Sequence, residues 1–343
     1  MPLGSCNATG MDDWLGSDTA FFRYAKIGER RAETAPASAD RAIATLGLDA
    51  GNWRARLDDP APSFEQVFGN PPYPAQADTG ADDLGTLVIL ESETGSGKTE
   101  AALWRFVQLF RLGEVDSLYF ALPTRVAATQ LYERVRAAVD RLWPKDAPLV
   151  VRALPGYAAA DGQEPKALPD FEVQWPDDPD DLTAHRRWSA ESPKRFLAAP
   201  VAVGTIDQAL FGALQVRHAH LRHALLARSL LVVDEVHASD AYMTALLERL
   251  LRAHLGCGGS ALLLSATLGA SARDRLLIFD PAPTGPFGVP VRQLPMRHYL
   301  APEDLDPDAQ PQDVEQCDGA VEFSLGTTRY RYGRLGLEKL PED

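Results

Sequence analysis

The chain has 343 residues, 45% apolar and 24% charged, an ordinary globular mixture with room for about two domains at roughly 150 residues each. That excludes a disordered, collagen-like or disulfide-scaffold protein, and no apolar run approaches the roughly 18 residues a membrane helix needs. The net charge is −14, but residues 161–192 (net −6) and 302–322 (net −8) carry all of it, so a phosphate-binding face elsewhere is compatible with the composition.

Residues 1–60 hold Trp14, Phe21, Phe22 and Tyr24, then an Ala/Arg/Glu-rich stretch with helical character, and end at a Pro-bearing joint from Asp58 to Pro62. No charged-then-apolar leader opens the chain. Short apolar runs follow at Thr86–Leu90, Ser117–Leu122, Val201–Thr205, Leu230–Val233 and Ala261–Leu264, each with a turn and a helical pattern after it. Continuous apolar strands alternating with helices predict a parallel sheet covered on both faces, an α/β fold spanning residues 61–280. Residues 155–195 read as an acidic surface insertion, partly mobile. The helix after the fourth run carries Met243, Leu246, Leu247, Leu250, Leu251 and Leu255 at helical spacing, with Gly256 placed as its closing glycine. Residues 281–343 are poorly defined, with a hairpin expected around Gly326 from Val321–Leu325 and Thr328–Tyr332. Cys6, Cys257 and Cys317 show no C-x-x-C spacing. Neither a zinc site nor a disulfide framework is expected, and a reducing cytoplasm is the expected location.

Directly after the first run comes Ser92-Glu93-Thr94-Gly95-Ser96-Gly97-Lys98-Thr99, a P-loop whose usual first glycine is Ser92. Gly95 and Gly97 let backbone N–H groups turn inward around phosphate oxygens, and the helix that follows adds its positive end. The segment Thr94, Gly95, Ser96, Gly97, Lys98 and Thr99 is therefore the candidate ATP-binding loop. Lys98 would neutralise the β- and γ-phosphates, and Thr99 would ligate Mg2+.

The run Leu230–Val233 leads into Asp234-Glu235-Val236-His237. A carboxylate at the C-terminal end of a parallel strand stands where open α/β sheets bind ligands. Asp234 would hold Mg2+, usually through water, and Glu235 would polarise the attacking water. Ser265-Ala266-Thr267 ends the last run, and its two hydroxyls, on Ser265 and Thr267, would bond to His237 and couple nucleotide state to movement. P-loop, Asp-Glu-x-His and Ser-Ala-Thr in that order form a superfamily 2 helicase signature.

With the flanking residues added, the match becomes specific. Val203-Gly204-Thr205-Ile206-Asp207-Gln208, Val233 through Met243, Glu100-Ala101-Ala102-Leu103 after the P-loop, and Leu122-Pro123-Thr124-Arg125 together resemble the helicase of type I CRISPR systems, most densely over residues 86–275. The resemblance implies a RecA-like lobe that binds ATP, Mg2+ and single-stranded DNA, joined to a metal-dependent nuclease and recruited by Cascade, the RNA-guided surveillance complex. It further implies that Phe68 to Gln76 is an adenine-reading segment with Gln76 as base contact, that Arg125 and Thr205 touch DNA, and that residues 1–60 correspond to the end of the nuclease domain, with Asp13 as its last metal-site aspartate.

The departures set further expectations. All seven histidines lie at or beyond His185, so the nuclease's histidine ligands are not expected here, nor is nuclease activity. Only 76 residues follow Thr267, too few for a second RecA-like lobe, so slow ATP turnover is expected unless a partner chain supplies that lobe. The P-loop and Asp-Glu-x-His alone leave an RNA helicase or restriction motor open, and the missing lobe leaves open a non-catalytic nucleotide-dependent binding module. The run His218, His220, His223 reads as a solvated basic helix face rather than a metal site, while Arg217, Arg222 and Arg228 are lesser candidates for phosphate contact.

Overall fold

A computed structural model describes residues 19–24, 30–57, 60–81, 84–167, 173–176, 185–214, 219–236 and 241–268, together with short strands between 299 and 339. The chain divides into two compact units, Met1–Leu300 and Ala301–Asp343.

The first unit is built on one sheet. Its strands are β1 (Leu87–Glu91), β2 (Ser117–Leu122), β3 (Val150–Ala153) and the two-residue β4 (Ala159–Ala160). Strands β5 (Lys166–Ala167) and β6 (Val173–Gln174) pair separately as a small antiparallel ribbon. The main sheet continues with β7 (Val201–Thr205), β8 (Ser229–Val233), β9 (Ser260–Ser265) and β10 (Tyr299–Leu300). Its order is β10-β1-β9-β8-β2-β7-β3-β4, parallel at every pairing except β3 with β4. This is the expected RecA-like α/β arrangement.

The continuous apolar runs have a simple cause. Alternate residues of each strand enter two different cores. Val88, Leu90, Leu118, Phe120, Val203 and Val232 face one side, against the helices Lys98–Leu112 and Arg125–Leu142. Leu87, Ile89, Tyr119, Ala202, Leu231 and Leu263 face the other, against Ile206–Leu210, Ala219–Leu226 and Ala241–Gly256. A polar residue at almost any strand position would thus be buried.

Of the N-terminal helices Arg31–Thr45 and Ala50–Leu57, the second joins this body through specific ties. Arg54 donates to the carbonyl of Phe110 at 2.5 Å and to that of Val115 at 3.1 Å, and pairs with Asp116 at 2.9 Å. Trp143 donates its indole N–H to the Trp53 carbonyl at 2.9 Å. These contacts dock the second helix against the end of the P-loop helix.

Two expectations need correction. Gly256 is the last residue of its helix, not the glycine beyond it; the left-handed position is Gly258, at φ +86°. The backbone there closes with Gly259 N–H donating to the His254 carbonyl at 3.0 Å. The insertion is also less superficial than its composition suggests. Strand β4 extends the main sheet, and Ala160 and, in a short 3-10 turn, Ala190 are buried in the second core. Short Ala-rich pieces with no periodicity conceal this burial from pattern reading.

In the second unit, β11 (Gln316–Cys317), β12 (Ala320–Leu325), β13 (Thr328–Gly333) and β14 (Gly336–Lys339) form an antiparallel sheet in sequence order. The pairing Leu325 with Thr328 closes the expected hairpin. Among the described residues no helix is long and apolar enough to cross a membrane.

Candidate functional site

Because the strands are parallel, their C-terminal ends share one edge of the sheet, and the P-loop, Asp234-Glu235, Ser265–Thr267, Thr124-Arg125 and Thr205 fall there. The P-loop follows β1, Ser265–Thr267 closes β9, and Asp234-Glu235 follows β8, so three neighbouring strands carry the nucleotide motifs. The next three, β2, β7 and β3, end in Thr124-Arg125, Thr205 and the Gly156-Tyr157 turn. The edge thus has one half that carries the motifs expected to bind nucleotide, the nucleotide half, and a second half that carries Arg125, Thr205 and Tyr157.

Ser92 donates its N–H to the Ser265 carbonyl at 3.0 Å, continuing the β1–β9 ladder beyond the strand. Gly95 and Gly97 have φ of +87° and +85°, the left-handed region that glycine enters without steric cost, whereas Ser92 does not. The loop therefore needs glycine at positions 95 and 97 and tolerates serine at 92. A Cβ at Gly95 would meet nothing within 4 Å, which leaves the loop's outer face open for a ligand. Lys98 folds back, its ammonium donating to the carbonyls of Ser92 at 2.6 Å and Glu93 at 3.1 Å. An anionic phosphate entering the loop would compete with these two neutral acceptors for the same ammonium. Glycine geometry, open space and the placed cation fit the phosphates of ATP.

Gln76 is buried, and both ends of its amide are engaged. Its carbonyl accepts the Tyr73 N–H at 2.9 Å, and its amide N–H donates to the Gly97 carbonyl at 3.0 Å. A Cβ on Gly97 would lie 2.1 Å from that amide nitrogen. Gln76 thus props the P-loop from behind, and glycine is required at 97 on two separate counts.

Asp234 donates its N–H to the Ala121 carbonyl at 2.9 Å, and its carboxylate accepts the N–H of Glu235 at 2.9 Å. Glu235 sits at φ +56°, a conformation disfavoured for a residue with a Cβ by about 1–2 kcal/mol. The strand thus ends in a sharp, strained turn, the kind of outlier that gathers at functional sites. Both carboxylates are half-buried and border a cavity of about 160 Å³ lined also by Pro123, Asp207 and Met243. Ser265 is buried and Thr267 exposed. His237, Asp240 and Asp13 lie outside the described residues.

Sequence reasoning missed Glu91, the last residue of β1. It is buried, aligned with Ser265 in the β1–β9 register, and its carboxylate accepts the Leu268 N–H at 2.9 Å. It joins the root of the P-loop to the loop after β9.

On the other half of the edge, Arg125 is exposed at the start of its helix, where the Thr124 hydroxyl accepts the Ala127 N–H at 3.2 Å as cap. Thr205 is buried, and its carbonyl accepts the Tyr119 hydroxyl at 2.8 Å. Burial raises the Tyr119 phenol far above its ordinary value, so it stays protonated and donates. Thr205 therefore offers little of its own surface. Arg222 is buried and bonds to Gln208, while Arg228 pairs with Asp116, so both hold the fold together. His223 lies 3.6 Å from the Cys257 sulfur, and burial lowers its pKa, so this one histidine of the run is not solvated as expected, while Arg217, His218 and the side chain of His220 lie outside the described residues.

No family model matches the sequence. The chain is 33% identical over 277 residues to the CRISPR-associated endonuclease/helicase Cas3 of Thermus thermophilus, a match covering 77% of this chain and 29% of that protein. It is 34% identical over 196 residues to the Escherichia coli protein of the same description, covering 56% and 21%. The crystal structure of T. fusca Cas3 with AMPPNP superposes with a TM-score of 0.56 at 26% identity, covering 97% of this chain and 35% of that one. The chain spans less than a third of the length of these two curated relatives.

Proposed function

We propose that this chain, a relative of the Cas3 helicase/nucleases over the segment they share, is the ATP-binding lobe of a superfamily 2 DNA helicase or translocase acting in CRISPR interference. The observation that carries the reading is the placement of three motifs on three adjacent strand ends: P-loop on β1, Ser265–Thr267 on β9 and Asp234-Glu235 on β8.

The backbone N–H groups of Thr94–Gly97 and the Lys98 ammonium would hold the phosphates, and Thr99 with Asp234 would hold Mg2+. Mg2+ held by these two residues would neutralise charge on the bound phosphates. Glu235 would orient and polarise water, with its strained backbone fixing where the carboxylate points. Arg125 would contact a phosphate of single-stranded DNA. Cascade would be the recruiting partner, as the resemblance to type I systems implies, and a second lobe of the kind such motors carry would be the source of efficient turnover.

ATP hydrolysis measured with and without single-stranded DNA tests the reading. Turnover that rises when DNA is added supports a motor lobe. Nucleotide binding with turnover indifferent to DNA favours a nucleotide-dependent binding module instead.

A further inference from the structure

We propose that Tyr157 is a base-stacking platform that carries the single-stranded DNA path from Arg125 across β7 to strand β3. The inference rests on the DNA-binding reading above and adds a residue and a mode of contact that the motifs do not contain.

Tyr157 is 60% exposed although the backbone beneath it is held firmly. Gly156 turns the chain at φ +78°, and the Tyr157 N–H donates to the Leu154 carbonyl at 2.9 Å. The Tyr157 carbonyl accepts from Arg152 at 2.8 Å. Arg152 is itself buried and also pairs with Glu164, which takes up an acidic side chain of the insertion. An aromatic ring presented to solvent from a turn pinned on both sides has lost its backbone freedom in advance, so a ligand stacking on it would meet little ordering cost.

The surroundings suit one kind of ligand. The Arg125 guanidinium lies 5.8 Å from the ring centre, and Val126 beside it is 67% exposed. A cation for a phosphate next to an aromatic face for a base is the pairing by which proteins hold single strands without reading their sequence. The strand order β2-β7-β3 places Arg125 and Tyr157 at strand ends on either side of β7, along the ligand-binding edge and away from the P-loop. A strand gripped at Arg125 therefore passes the ring if it runs away from the nucleotide half.

The test compares fluorescence-anisotropy titrations of the full chain with labelled oligo(dT) and with an abasic oligodeoxynucleotide of equal length, at low salt. Tyr157→Ala should weaken oligo(dT) binding at least about fivefold, the low end of one stacked base, and leave the abasic strand unchanged. Tyr157→Trp should restore oligo(dT) binding. Arg125→Ala should weaken both ligands, because its contact is to phosphate. If Tyr157→Ala left oligo(dT) binding unchanged while Arg125→Ala weakened it, stacking would be overturned and the DNA path would stand. Equal weakening of both ligands by Tyr157→Ala would also overturn stacking. If the unmodified chain bound neither strand, the DNA reading itself would fail and this inference with it.

Discussion

The carboxylate of Glu91 accepts the backbone N–H of Leu268 across 177 positions of sequence at 2.9 Å, tying the strand that launches the P-loop to the loop that passes through Thr267. Glu91→Ala leaves that buried N–H without this acceptor, a loss of about 1–3 kcal/mol, and should lower the urea midpoint. Glu91→Gln retains a carbonyl acceptor of the same reach and should recover most of it. Equal midpoints for the alanine variant and the unmodified chain would remove this tie from the account.

Glu235→Gln preserves shape and hydrogen-bonding capacity while removing the charge proposed to polarise water. ATP binding should survive with an unchanged Kd, and whatever hydrolysis the chain supports should fall to background. Steady hydrolysis in this variant would assign the water to another group.

His254 gives the fold a pH dependence. It is buried, donates from Nε2 to the Ser260 carbonyl at 3.0 Å, and burial, with His223 nearby, pushes its pKa down to about 4. The unfolded chain binds a proton at this side chain near the ordinary value of about 6.5, so acid favours unfolding. Stability should be full above that value and fall by about 2–3 kcal/mol on acidification to about pH 4. Asp146 acts in a lower window. Arg186 and Arg56 hold its carboxyl down to about 2, so its contribution is present above the ordinary carboxylate value and is lost as pH falls towards 2. His254→Asn should flatten denaturation midpoints between pH 6.5 and 4, whatever its own cost. An unchanged slope would show that another group controls this range.

Much of the architecture is legible in the sequence because a sheet buried on both faces writes itself as uninterrupted apolar runs. Leu230–Val233 needed one more residue, Ser229, and Thr86–Leu90 shifted by one to Leu87–Glu91. That shift is where a residue was missed. An acid at position 91 reads as the first polar residue after a strand, and only the partner at Leu268 reveals it as a buried tie. The P-loop was legible because phosphate binding demands glycine at fixed spacing. The prop at Gln76 was not legible from those residues, since its function depends on Tyr73 and Gly97 being brought together in space. The buried parts of the insertion escaped for the same reason: Ala159, Ala160 and Ala190 gain their meaning from the sheet edge and core they meet.

Titration of a fluorescent ATP analogue against the chain and its Lys98→Ala variant tests the central claim most directly. The Lys98 ammonium is already held at the mouth of the P-loop by the carbonyls of Ser92 and Glu93, where it would face the β- and γ-phosphates. Micromolar-range binding by the unmodified chain, weakened at least about tenfold by the substitution, is the predicted result, a tenfold loss being about 1.4 kcal/mol. Binding of equal strength in both proteins would contradict the assignment of this loop as the nucleotide site.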